Sequence, residues 1–238
     1  MAVFISYYLW MAIYKSSGDG VLGGLTQNEM VVYVIMVFIT SGIIMQSISR
    51  TVGKDVVKGN IAMTLIKPVD YRMSLLFGQI GNMIYHFFVP GIFVWIFLEI
   101  YKVKCLGEPK VSPAKIVFYL ISVCLSFLIY VLFDFCFGMV AFFTTYIFGL
   151  TMAKDVLLSF LTGQLIPISF FPEICQRIFE FLPFQSMVYT PVMIYLGKYS
   201  TGEIAFVLTR QFVWVIALYL LGSIIWKKVT ARLIVLGG

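Results

Sequence analysis

The sequence predicts an all-α fold: a polytopic membrane helix bundle of six transmembrane helices. Three observations predict it. Of the 238 residues, 61% are apolar and only 12% are charged, about half the usual quarter for a soluble domain. The mean hydropathy is +0.99. The apolar runs reach about 20 residues, the length a helix needs to cross a bilayer, and they lack the alternation of a barrel strand. A soluble chain of this size has too much surface to cover with so few charges. Soluble enzymes, disordered chains and small disulfide-stapled domains are thereby excluded.

The elements follow in order. The first apolar run, 2–14, covers roughly 20 Å at 1.5 Å per residue, short of the ~30 Å hydrocarbon core, and reads as part of a span. Residues 15–29 form a Gly/Ser/Asp-rich loop, and 30–48 is a second span. The segment 50–72 is the most polar stretch and holds Arg50, Lys54, Lys58, Lys67 and Arg72. The third span covers 73–100, where Pro90-Gly91 predicts a kink. Residues 101–115 form a loop with two prolines. The apolar run that follows is too long for one span and too short for two plus a loop. It is divided into a fourth span at 116–143, a tight turn, and a fifth at 152–166 that Pro167 stops. Segment 170–198 carries Pro172, Pro183 and Pro191. Its two helical pieces are too short to cross, which suits a re-entrant or interfacial hairpin. The last span, 203–226, ends on Lys227-Lys228. No soluble domain or repeat interrupts this single membrane domain of 1–238.

Basic residues set the orientation. The 17 Lys and Arg exceed the 11 Asp and Glu, for a net charge of +6. They gather between apolar runs, so they orient the spans and do not mark a nucleic-acid surface. An even number of spans separates 50–72 from the C-terminal tail, so both are expected to be cytoplasmic. Nine basic residues then lie inside and eight outside, and the clusters ending the second and last spans decide the orientation. Cys124 and Cys136 read as core residues. Cys105 and Cys175 fall in loops on one side, where a bridge can form.

Chemistry of the chain's own is not expected. Gly53-Lys54 and Gly197-Lys198 are the only Gly-Lys pairs, and neither is followed by Ser or Thr, so there is no P-loop. One histidine leaves no zinc motif, and no nucleophile elbow occurs. At membrane depth the ionisable residues are His86, Asp134 and Arg210, functional-site candidates by the cost of burying them in lipid. Asp134, midway along the fourth apolar run, reads either as a pathway or interface site or as a structural ion pair. His86 reads as a satisfied core histidine.

Arg50, Lys54, Asp55 and Lys58 share one face if 50–72 is helical, and Gly59-Asn60 makes a C-cap for a short helix after Gly53. Ile61, Leu65 and Ile66 add an apolar face, and Pro68 ends the segment. The result is a surface helix between two spans, on which a partner protein could push. An anionic-lipid-facing loop is the plainer reading. In 170–198, Phe170, Phe171, Phe179, Phe181, Phe184, Tyr189 and Tyr195 line the hairpin. It caps a path or forms an interfacial aromatic belt.

These two segments carry a resemblance. Gly59-Asn60-Ile61-Ala62-Met63-Thr64-Leu65-Ile66-Lys67-Pro68 is similar to the G-N-I-A-x-x-L-[LI]-[RK]-P stretch of permease subunits of bacterial ABC-2 type ATP-binding-cassette exporters. Ile166-Pro167-Ile168-Ser169-Phe170-Phe171-Pro172, Leu182-Pro183-Phe184-Gln185 and Ile194-Tyr195-Leu196-Gly197-Lys198 resemble the same family. The resemblance implies six membrane helices with both termini cytoplasmic, a coupling helix after the second and a re-entrant hairpin before the sixth. It implies that Lys54, Asp55, Lys58, Gly59, Asn60, Leu65, Lys67 and Pro68 contact a separate ABC ATPase. Pro167, Phe170, Phe171, Pro172, Pro183, Phe184, Gln185 and Tyr195 would cap the outer mouth. ATP and magnesium belong to the partner ATPase, and no cofactor is expected in this chain. The other expected partners are a second permease, copy or homologue, and the lipid bilayer, with no nucleic acid. The expected place is the bacterial cytoplasmic membrane. Against the family pattern the first span looks cut short, so a truncated or misassigned start of roughly 25–30 residues is expected, a full span needing about 20 apolar residues. The expected function is ATP-driven export of an amphipathic or hydrophobic peptide, lipid or drug. A non-transporting regulatory or sensing subunit is the alternative, and an ion-coupled carrier ranks third because the spans hold so few proton-relay groups.

Overall fold

The computed structural model describes residues 2–18, 20–45, 47–60, 70–144 and 147–236. The architecture is an all-α membrane bundle. Helix α1 (Ala2–Ser17) leads into a small hairpin of β1 (Val21–Leu22) and β2 (Leu25–Thr26), then α2 (Gln27–Ile44) and α3 (Ile48–Val57). Helix α4 (Tyr71–His86) passes through a π-helical turn (Phe87–Gly91) into α5 (Ile92–Cys105). Next come α6 (Pro113–Gly138), a 3₁₀ turn (Met139–Phe142), α7 (Phe148–Leu161), α8 (Glu173–Phe181), α9 (Tyr189–Leu196) and α10 (Thr201–Leu236).

Local chemistry explains the boundaries. Thr26 and Glu29 form a capping box: Thr26 Oγ1 accepts from Glu29 N–H at 3.3 Å, and Glu29 Oε2 accepts from Thr26 N–H at 2.8 Å. Gly23 and Gly24 take φ of +56° and +77°, which a two-residue hairpin turn between β1 and β2 demands. Within the 15–29 stretch expected as a loop, residues 21–26 form this hairpin, while 15–17 end α1 and 27–29 begin α2. The hairpin's packing is close, since a Cβ on Gly23 would lie 2.8 Å from the Phe170 ring. Asp70 caps α4 by accepting from the N–H groups of Arg72 and Met73 at 2.8 and 3.3 Å. The α9 helix ends in a Schellman turn at Gly197, φ +73°, with Lys198 N–H donating to Met193 O and Gly197 N–H to Ile194 O, both at 3.0 Å.

Helices α2 and α6 form the centre. The apolar window of α2 is 59% buried, whereas that of α4–α5 is 11% buried, so α4–α5 presents most of its surface to lipid. Tyr33, Met36, Ile43 and Ile44 of α2 and Phe127, Ile129 and Val131 of α6 are core residues. Among the described residues, four helical stretches are long and apolar enough to cross a membrane: Gln27–Val57, Tyr71–Cys105, Pro113–Phe142 and Thr201–Ala231. Helices α1 and α7, of 16 and 14 residues, are shorter.

Several expected boundaries shift. The kink at Pro90 is a π turn: Ile92 N–H bonds five residues back to Phe87 O, and a Cβ on Gly91 would lie 2.8 Å from His86 O. Helix α7 is expected at 152–166 but starts at Phe148 and ends at Leu161. Its terminus is set by Gly163, φ +76°, whose carbonyl accepts from Tyr33 Oη at 2.5 Å, and not by Pro167. All four cysteines are free thiols, so Cys105 and Cys175 are not bridged. Cys124 is exposed on the outer side of α6, not in the core.

Candidate functional site

Helix α3 begins at Ile48, six residues earlier than the Lys54 start expected. Gly53 is inside it because there the helix backbone meets a neighbour: a Cβ on Gly53 would collide with the Ile147 side chain. On the other flank, a Cβ on Gly138 of α6 would lie 3.1 Å from Ser49 Cα. Two glycines thus let α3 lie backbone-close against α6 and the turn before α7. Ile48, Ser49 and Val52 are buried, and Arg50, Lys54, Val57 and Lys58 are exposed. Asp55 is half-buried and accepts from Tyr71 Oη at 2.9 Å. Gly59, at φ +71°, turns the chain after α3 as expected of a C-cap, with Gly59 N–H donating to Val56 O. Asn60 is exposed. Leu65, Lys67 and Pro68 lie outside the described residues.

The α3 N-terminus is held by buried charge. Ser47 makes no side-chain cap, so the first amides of α3 need another acceptor. Asp134, fully buried, supplies it: its Oδ2 accepts from Ser49 N–H at 2.8 Å. The other Asp134 oxygen pairs with Lys154 Nζ of α7. Lys154 also donates to Ser49 Oγ at 3.1 Å and stands 3.1 Å from Asp155 Oδ1. Asp155 Oδ2 in turn accepts from Arg50 Nη2 at 2.7 Å. The chain Asp134–Lys154–Asp155–Arg50 alternates in sign and ends at the exposed face of α3. Of the two readings of Asp134, the geometry gives the ion pair. Asp134, midway along the apolar run, lies four residues from the end of α6, which gives way at Met139 to a 3₁₀ turn. Lys154 and Ser49 were not singled out from the sequence. The signal available was a Lys-Asp pair inside an apolar run, a costly placement unless partnered.

The hairpin residues separate into two groups. Phe170 packs on Trp10 of α1, ring centroids 4.9 Å apart, and Phe171 meets Phe179 edge-on at 5.3 Å. Pro167 opens the 3₁₀ turn at 168–170, and Pro172 precedes α8. Helix α8 has no buried residue, and Ile174, Ile178 and Phe181 stand out from it. Pro183 and Gln185 are buried, and Phe184 meets Phe133 of α6 edge-on at 5.2 Å. Beside them, Gln211 of α10 ties the hairpin tip to the core. Its Nε2 donates to Ser186 O at 2.8 Å and Ser126 Oγ at 2.9 Å, and its Oε1 accepts from Ser122 Oγ at 3.0 Å. Ser126 lies 13 residues into α6, roughly 20 Å down its axis, so the tip reaches well into the bundle. From there α9 climbs to Tyr195, whose hydroxyl donates to Glu99 and accepts from Trp95 Nε1 at 3.2 Å. Gln211, Ser122 and Ser126 were also missed. Isolated Gln and Ser within spans give no period or motif to single them out.

His86 is half-buried at the entry to the π turn, its ring edge-on to Tyr85 at 5.3 Å; it is not the buried core histidine expected. Among the described residues, no group of three His, Cys, Asp or Glu could hold a metal ion.

A bundle of apolar helices, with a charged surface helix wedged between two of them and a hairpin dipping in from the other end, is the architecture of a polytopic membrane protein. The profile of the ABC-2 family transporter proteins matches residues 1–237, and the chain belongs to that family. No curated protein and no solved structure matches it. Permeases of this family are in general non-enzymatic membrane components that associate with an ABC ATPase.

Proposed function

We propose that the chain is the permease of an ATP-driven exporter, moving an amphipathic or hydrophobic substrate outward across a bacterial cytoplasmic membrane. A separate ABC ATPase docks on α3, and a second permease, copy or homologue, completes the path. The C-terminus lies on the same, cytoplasmic, side as α3. The observation that carries this reading is the joint at Ser49. An exposed basic face on α3 is coupled through Asp134 and Lys154 to α6 and α7, so a push on α3 moves two membrane helices with it. The hairpin then serves as the cap at the opposite end, with Phe170 against α1 and Tyr195 against α5. Substrate class is read from the spans, which are apolar and rich in aromatics.

Charge reversal tests the docking. With Lys54→Glu and Lys58→Glu together, the partner ATPase should no longer co-purify with the permease in lipid. Both side chains are exposed, so the fold should survive. Undiminished recruitment would remove α3 as the docking element.

A further inference from the structure

We propose that the end of the bundle opposite α3 holds a site for one anionic phospholipid, its headgroup among Lys102, Lys110 and Lys115 and its acyl chains along α5. Two adjoining cavities carry the inference. An apolar groove of about 480 Å³ runs past Trp95, Ile96, Ile100, Val103 and Ile116. A polar pocket of about 190 Å³ lies between the 106–112 loop and α9, and includes Lys102, Ser112, Lys115 and Glu108. Lys110 and Val111 line both, so the two are parts of one amphipathic recess.

The charge in the recess is unbalanced. Lys102 is only 6% exposed, and its ammonium is offset by the Glu99 carboxylate, 3.9 Å away, and by the Tyr195 ring, 5.6 Å to its centroid. Glu29 is neutralised by Lys198 at 2.7 Å. Lys104, Lys110 and Lys115 have no ion-pair partner among the described residues, and Glu108 is the one carboxylate left facing them. Gly197 leaves the Lys115 ammonium room, since any Cβ there would collide with it. Five lysines therefore meet three glutamates around a recess whose floor is apolar. Lys104 and Lys110 are exposed and Lys115 is half-buried, so together they present an excess of positive charge that an anion at the membrane surface would neutralise.

The groove decides what the anion is attached to. Ile96, Ile100 and Val103 are exposed along the lipid-facing side of α5. A soluble phosphate would fill the polar pocket and leave this groove bare. A zwitterionic lipid would fill the groove and gain little from the excess charge. An anionic phospholipid fits both parts. The site is independent of the transport reading, because binding is measured on the permease without ATPase.

Native mass spectrometry of the purified chain tests it, with phosphatidylglycerol or phosphatidylcholine of equal chain length in the detergent. One phosphatidylglycerol should be retained in preference to phosphatidylcholine by about twenty-fivefold, since the recess holds two lysines in excess of its glutamates and each contributes roughly fivefold near an anionic headgroup. Lys110→Glu with Lys115→Glu should abolish that preference, and both sites are near solvent, where the fold tolerates change. Val103→Trp, which fills the groove, should reduce retention of both lipids. Equal retention of the two lipids, or a preference untouched by the lysine reversals, would overturn the proposal. So would displacement of the lipid by glycerol phosphate alone, which would make the recess a phosphate site.

Discussion

Losing Lys154 would strand Asp134 as a buried charge, whereas losing Asp134 leaves Lys154 a second carboxylate, Asp155 Oδ1 at 3.1 Å. Lys154→Met alone is expected to cost about 3–5 kcal/mol and Asp134→Asn less, whereas a matched apolar pair, Asp134→Leu with Lys154→Met, should recover most of the Lys154→Met loss. Thermal unfolding in one detergent checks this; equal losses for single and double variants would contradict it. Gln211 is a polar counterpart. Gln211→Leu leaves the Ser122 hydroxyl without its acceptor, a cost of about 1–3 kcal/mol, while Ser186 O keeps the bond from Ser126 Oγ at 2.8 Å. The expected sign is faster proteolysis in the 182–188 turn. Asp70 gives a pH handle outside the spans. Slight burial pushes its carboxyl up, but the Arg72 hydrogen bond, the backbone N–H groups of Arg72 and Met73 and the Arg72 charge more than offset this, so its pKa lies below the usual carboxylate value. A depressed folded pKa means the cap contributes fully above the unfolded value of about 3.9 and is lost as pH falls through the folded one. Amide exchange at Arg72 and Met73 should therefore speed up below that range, and Asp70→Ala should give the fast rate at every pH.

At the scale of elements, the π turn in α4–α5 is the clearest device. Pro90 has no N–H to give the His86 carbonyl, and the wider turn brings Gly91 against that same oxygen. Gly91→Ala should cost about 1–3 kcal/mol, the usual penalty of overpacking; a neutral result would mean that the turn relaxes freely. Pro90-Gly91 was legible in the sequence because proline acts locally, and so was the capping of α3 by Gly59. What was not legible is long-range. The early start of α3 depends on Gly138 and Gly53 admitting a close neighbour. The role of Asp134 depends on Lys154, 20 residues away, and on the amide of Ser49. Local propensity contains none of these distances. The end of α7 was misplaced for a simpler reason: Gly163 closes the helix before Pro167 is reached.

For the whole molecule, scarcity of charge turned out to be a matter of placement. Buried charges concentrate where α3 meets α6 and α7, and unpaired lysines concentrate at the far end beside α5 and α9. Helix α6, 26 residues and roughly 39 Å long, joins the two ends and packs against α3, α9 and α10 along its length. Composition alone made the chain a membrane bundle, because that conclusion needs only averages. The family followed from two local motifs, and the family profile covers almost the whole chain. The joint itself required coordinates. On the function proposed above, ATP spent by a partner would drive movement through this chain by way of α3. The direct measurement is movement of a fluorescent amphiphile in proteoliposomes holding the permease and its ATPase. Movement should require ATP and should fall at least about tenfold, some 1.4 kcal/mol, with Lys54→Glu and Lys58→Glu. Movement that continues without ATP and follows an ion gradient instead would contradict the account.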